Sequence, residues 1–170
     1  MRVSQRLMLM LIVVALSSCA VNTNFLRGQY DKRLERLQRE KDKLNRQIDP
    51  VDRTKTSITI SDILLSLASD AIKSGEPEML DRRLTEYVET IRDAHQTMMK
   101  SGRDAHRKPK GFKELEISLR RQIRTLEDLS RTVTFEHRDP VEKAKAEASE
   151  IREDVFRALF GDQNAPSRKG

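Results

Sequence analysis

Three histidines, one cysteine and a dense mixture of carboxylates and cations are the residues of this chain that could do chemistry. A di-iron site in a helical bundle needs inward carboxylates and Glu-x-x-His pairs, whose spacing puts carboxylate and imidazole on one helix face. His95, His106 and His137 are instead preceded at that distance by Arg92, Arg103 and Thr134. No His-Glu-x-x-His stretch could hold zinc, and the single cysteine, Cys19, cannot supply paired thiolates. Glycine-rich phosphate loops are missing from the sequence. So is the Gly-x-Ser-x-Gly elbow that exposes a serine nucleophile. These patterns predict no catalytic centre, no cofactor and no metal site.

His95 stands out because it interrupts an apolar stripe formed by Leu80, Leu84, Tyr87, Val88, Ile91 and Met98. An imidazole there could be a ligand or a pH-sensitive switch between helices. The simpler reading, preferred here, is a boundary histidine bonded to a neighbour. Met98 and Met99 read as core filling. A small-ligand or metal carrier built around Tyr87, His95 and Met98 is the alternative these residues leave open.

Positive charge gathers in two places. Residues 27–46 carry eight basic and four acidic side chains, with Arg33, Arg36, Arg39 and Lys43 as candidate contacts. Residues 100–113 carry six basic side chains against Asp104 alone, with Arg103, Arg107, Lys108 and Lys110 as candidates. Such patches could bind anionic lipid, glycolipid or an acidic partner. A solvated helix face and loop is the plainer expectation. Nucleic acid is not expected, because each basic stretch holds a single aromatic, Tyr30 or Phe112, too few for a stacking platform.

Cys19 ends a distinctive N-terminal stretch. Arg2 and Arg6 form a positive start, and residues 7–16 are an unbroken apolar run, too short for the roughly 20 residues of a spanning helix. Leu16-Ser17-Ser18-Cys19 then resembles the lipobox of bacterial lipoproteins. The resemblance covers residues 2–19 only. It implies removal of residues 1–18, a diacylglyceryl group on the Cys19 thiol, and a lipid-anchored place in the cell envelope. Ala20 stands where the enterobacterial sorting pattern has Asp for inner-membrane retention. The resemblance therefore implies the outer membrane, facing the periplasm, in a diderm organism. No resemblance to a functional family extends over residues 20–170.

Removing 18 residues leaves 152, a length suited to one domain. Charged residues make up 35% of the chain and aromatics 4%, which favours long helices with narrow apolar stripes. With Cys19 committed to lipid, no internal disulfide is available and packing must hold the domain.

The elements follow from the prolines and the apolar periodicity. A lipidated tether is expected over 19–28. A basic, coiled-coil-like helix over 29–49 carries Tyr30, Leu34, Leu37, Leu44 and Ile48 in alternating steps of four and three. Lys41 fills the remaining position, as a register device in a homodimer through residues 30–48 or, slightly preferred, as a solvated residue of a helix packed within its own chain. Asp49-Pro50 is read as the end of this helix. A bundle domain is predicted over 54–161, with helices over about 56–74, 77–101, 112–133 and 140–160. Asp139, Pro140 and Glu142 read as a capping box for the last. Residues 162–170 are expected to be a disordered tail. The predicted fold is all-α, an antiparallel bundle of about four helices preceded by the basic helix. The function favoured by these features is a non-enzymatic scaffold or partner-binding module.

Overall fold

Asp49 decides where the chain leaves its first helix and begins its second. In the computed structural model, which describes residues 28–161, a helix runs over 28–46 (α1). The Asp49 carboxylate then accepts hydrogen bonds from the backbone N–H groups of Val51 and Asp52 at 2.9 and 3.0 Å. Pro50 follows at the start of α2 (Pro50–Ser74), where its missing N–H leaves no bond unmade. Asp49-Pro50 therefore opens the second helix rather than simply closing the first. The expected start near Thr56 moves forward to Pro50. Ile48, placed on the first helical stripe by its spacing, falls in the break and is 93% exposed.

The chain divides between Arg36 and Leu37 into two units. Residues 28–36 of the first unit are helical. In the second unit, α1 continues with Leu37 buried. Lys41 Nζ reaches Glu86 at 3.1 Å. Arg53 donates to the carbonyl oxygens of Leu44 and Gln47, at 3.0 and 3.2 Å, and so satisfies the end of α1. The position that could have set dimer register is thus paired within its own chain. The signal segment, Cys19, most of the tether and the tail over 162–170 lie outside the described residues.

α3 (Pro77–Met99) follows α2 through Gly75, whose left-handed φ of 68° lets the helix close with N–H bonds back to Ala71 and Ile72. α4 (Phe112–Thr132) follows a loop over 100–111. α5 (Arg138–Phe160) follows a short 3₁₀ turn, Phe135–His137. No strand occurs among the described residues. The capping box predicted at Asp139 does not form, because the turn runs directly into α5 and His137 occupies the cap without a side-chain bond. Glu142, its intended member, accepts instead from Lys145 and from the Ser130 hydroxyl of α4. Those two bonds hold its carboxyl below the usual range, the lysine contributing most.

α2 and α3 form one antiparallel hairpin, and α4 and α5 form another. α2 lies beside α4, and α3 beside α5. Across that junction the neighbours run parallel. Val51 lies near Gly111 at one level and Asp62 meets Arg121 further along. Likewise Arg92 pairs with Glu147, and His95 faces Asp154 further along. The loop over 100–111 consequently crosses the bundle diagonally, from the end of α3 to the start of α4.

The core is the four stripes turned inward. Ile60, Leu64 and Leu67 of α2 meet Leu84, Tyr87 and Ile91 of α3, Leu115, Leu119 and Leu126 of α4, and Val141, Ala148 and Val155 of α5, all buried. Each such large apolar side chain contributes roughly 1.5–3 kcal/mol over an exposed one. Small residues, Ala68, Ala71, Ala94, Ala144 and Ala148, let the helices approach closely between them.

Candidate functional site

The apolar stripes are interrupted at mid-height by a layer of polar side chains. Gln122 of α4 sits at its centre, fully buried. Its Oε1 accepts from the Tyr87 hydroxyl of α3 at 3.2 Å. Its Nε2 lies within donating distance of Ser61 Oγ and Asp62 Oδ1 of α2, both at 2.7 Å, and of Ser118 Oγ at 3.0 Å. Asp62 extends the layer to the surface through Arg121 at 2.5 Å. Burial, and secondarily the Asp62 charge, push the Tyr87 phenol well above its ordinary pKa. It therefore stays a neutral donor. One amide here ties three helices into a single register, because a buried polar group left unpaired is costly.

Glu116, two turns earlier on α4, is another buried polar group, its side chain only 4% exposed. Arg120 grips both its oxygens, at 2.8 and 2.7 Å, and Arg152 of α5 donates to Oε1 at 3.0 Å. The two guanidiniums lie nearer the solvent than the carboxylate does, so they shield it and join α4 to α5. Neither Gln122 nor Glu116 was singled out in the sequence. The available signal was their position, each at helical spacing beside the apolar residues of α4.

His95 lies at a boundary between helices, but the bond to a neighbour expected of it is not made. It lies half-buried between α3 and α5, with Nε2 3.9 Å from Asp154 Oδ2 and without a hydrogen bond. Burial lowers its pKa, and the Asp154 charge works the other way. Tyr87 and Met98 are packed solidly in the core. Met98 presses so closely on Gly111 that a Cβ there would come within 2.8 Å of its sulfur. No group of three or more potential metal ligands occurs among the described residues.

The two basic regions differ in how far their charge is used. In the first, Lys41 is paired with Glu86, and Lys43 lies 3.5 Å from Glu40. Arg33 and Arg36 lie in the first unit, and Arg39 is exposed in the second. In the loop over 100–111, Arg103 is half-buried, whereas Arg107, Lys108 and Lys110 are exposed. Among the described residues, Arg107 reaches only the Asp104 carboxylate, at 3.6 Å.

An apolar cleft of about 480 Å³ opens at the opposite end of the bundle, between the α2–α3 turn and the 3₁₀ turn. Ile72, Pro77, Leu80 and Val133 line it, with Glu76 and His137 among its polar residues. Phe135 stands at its edge, 84% exposed, with the Arg138 guanidinium 6.0 Å from its ring centre. No described helix is long and apolar enough to cross a membrane.

These features define an all-helical bundle of two side-by-side hairpins, with a polar central layer and chemically distinct ends. Comparison with protein-family models, curated proteins and solved structures gives no match for this chain.

Proposed function

We propose that this chain is a non-enzymatic, lipid-anchored protein of the bacterial cell envelope whose bundle binds a partner protein. The anchor half of the reading rests on Leu16-Ser17-Ser18-Cys19 behind a charged start and a short apolar run. Several acyl chains on one cysteine hold firmly, since each buried CH₂ contributes about 0.8 kcal/mol.

The observation that carries the binding half is the apolar end cleft with Phe135 at its edge. An almost fully exposed phenylalanine beside an open apolar depression is what a protein partner covers. Aromatic anchors are enriched where interfaces concentrate their energy. The polar groups around Gln122 and Glu116, by contrast, are engaged with one another, which suits a rigid support for such a surface.

Two measurements test this. Intact mass should show residues 19–170 plus acyl chains, and an unmodified Cys19 thiol would remove the anchor. Affinity capture from the detergent-solubilised native membrane should recover one protein in stoichiometric yield. A Phe135→Asp substitution should abolish that recovery. Equal recovery by the parent and the substituted chain would refute the cleft as the binding site.

A further inference from the structure

We propose that the loop end of the bundle is a second, independent docking surface, and that its partner is an anionic phospholipid bilayer. The surface is assembled from separate elements. Val51 and Met98 both lie against Gly111, and Gly161 lies against His106. These contacts bring the start of α2, the end of α3, the loop over 100–111 and the end of α5 to one end of the molecule. The bilayer role goes beyond partner binding at the opposite cleft and does not depend on the state of Cys19.

Apolar side chains project from three of these elements. Ile48 is bare in the break before α2, Met99 is half exposed at the end of α3, and Phe160 is 47% exposed as the last residue of α5. Phe156, also half exposed, meets Phe160 in a tilted pair with ring centres 4.6 Å apart. Side chains of this kind seat in the interfacial layer of a bilayer.

Cations frame them. Lys100, Lys108, Lys110 and Lys113 are exposed and, among the described residues, have no carboxylate at ion-pairing distance. Several acidic groups at the same end are engaged, while Glu114 and Glu153 are left without an ion pair among the described residues. Asp49 caps α2, and Asp52 lies 3.4 Å from Lys55. Asp104 accepts from the backbone of His106 and Arg107, and Asp154 pairs with Arg157 at 2.9 Å. What remains outward is a net excess of positive charge around apolar side chains. That combination complements a negatively charged bilayer, whose surface attraction acts within a Debye length of about 8 Å at physiological salt.

The chain contains no tryptophan, so Phe160→Trp installs a single reporter at this end. The full chain, purified from its membrane, is reconstituted with brominated lipid vesicles of phosphatidylcholine alone or mixed with phosphatidylglycerol. The indole should be blue-shifted and quenched in the anionic vesicles, and high salt should reverse the effect. Adding Arg107→Glu, Lys108→Glu and Lys110→Glu should lower the docked-to-undocked ratio by at least about a hundredfold, taking about fivefold for each of the three cations lost and leaving the added repulsion of the three carboxylates on top. Lys108→Gln with Lys110→Gln, which leaves the backbone and its caps untouched, should lower it by about twenty-five-fold on the same basis. Equal quenching in both lipid compositions, no quenching in either, or unchanged quenching in the charge variants would overturn the proposal. Any attachment at Cys19 is common to every sample, so a failure of the anchor reading would leave this comparison intact.

Discussion

Replacing Gln122 by Leu removes the amide that joins three helices while nearly conserving its volume. The Tyr87 hydroxyl loses its acceptor in a fully buried setting. An orphaned hydroxyl of this kind costs about 1–3 kcal/mol. Asp62 loses the Gln122 contact but keeps Arg121 at the surface. Ser61 already lies 2.9 Å from the Ile58 carbonyl, so its hydroxyl keeps a partner. Burying an apolar group in place of the amide recovers part of the loss, and the expected net destabilisation is about 2 kcal/mol. Tyr87→Phe alone should cost about 1 kcal/mol, because it strands the Gln122 carbonyl. The two changes together should cost less than their sum, by about 1–2 kcal/mol, since the second removes the group orphaned by the first. Urea unfolding followed by far-ultraviolet circular dichroism measures all three variants against the parent. Additivity within about 0.5 kcal/mol would refute the idea that Tyr87 and Gln122 act as one unit.

Two further outcomes follow from the packing. Gly111→Ala should destabilise by about 1–3 kcal/mol in thermal unfolding, because φ at Gly111 is 91° and the new Cβ would meet Met98 Cε at 2.7 Å. Pairing it with Met98→Ala should relieve the clash but not the backbone strain. His95 binds its proton more weakly folded than unfolded, so the unfolded chain takes up protons first as pH falls. The stability it permits is intact above an unfolded pKa of about 6.5 and declines as pH drops from there toward the folded value. The urea midpoint of the parent should therefore fall more steeply between about pH 7 and pH 5 than that of His95→Asn, and parallel slopes would exclude this role.

The helices of the bundle were legible because their signals are local. Leu115, Leu119, Leu126 and Leu129 repeat at helical spacing, and all are buried. Gly75 after the α2 stripe marks a true left-handed cap. What misled was a choice between competing caps. Asp49-Pro50 reads equally well as a stop or a start, and only the chain's ability to turn its Asp49 oxygen onto Val51 and Asp52 decides it. Asp139 and Glu142 offered a capping box, but Ser130 on the neighbouring helix and Lys145 took the carboxylate instead. The polar layer was illegible for a different reason. Ser61, Tyr87 and Gln122 belong to three helices, and their meeting is a property of register that no single stripe encodes. The basic loop was visible as charge. The apolar side chains around it were not, because Ile48 read as a member of a helical stripe and Met99 as core filling, whereas they are 93% and 46% exposed.

The diagonal loop over 100–111 also orders events in time. Each hairpin closes over a short turn and holds contacts between residues close in sequence, so its formation is quick. The pairs that join the hairpins, such as Asp62 with Arg121 and Arg92 with Glu147, link residues 59 and 55 positions apart, which carries a larger loop-closure entropy. The junction between hairpins is therefore expected to close last, after the folding barrier is crossed. Gln122, which reaches back to Ser61 across that junction, contributes after the transition state more than before it. Its loss should appear mainly as faster unfolding, with the folding rate left almost unchanged.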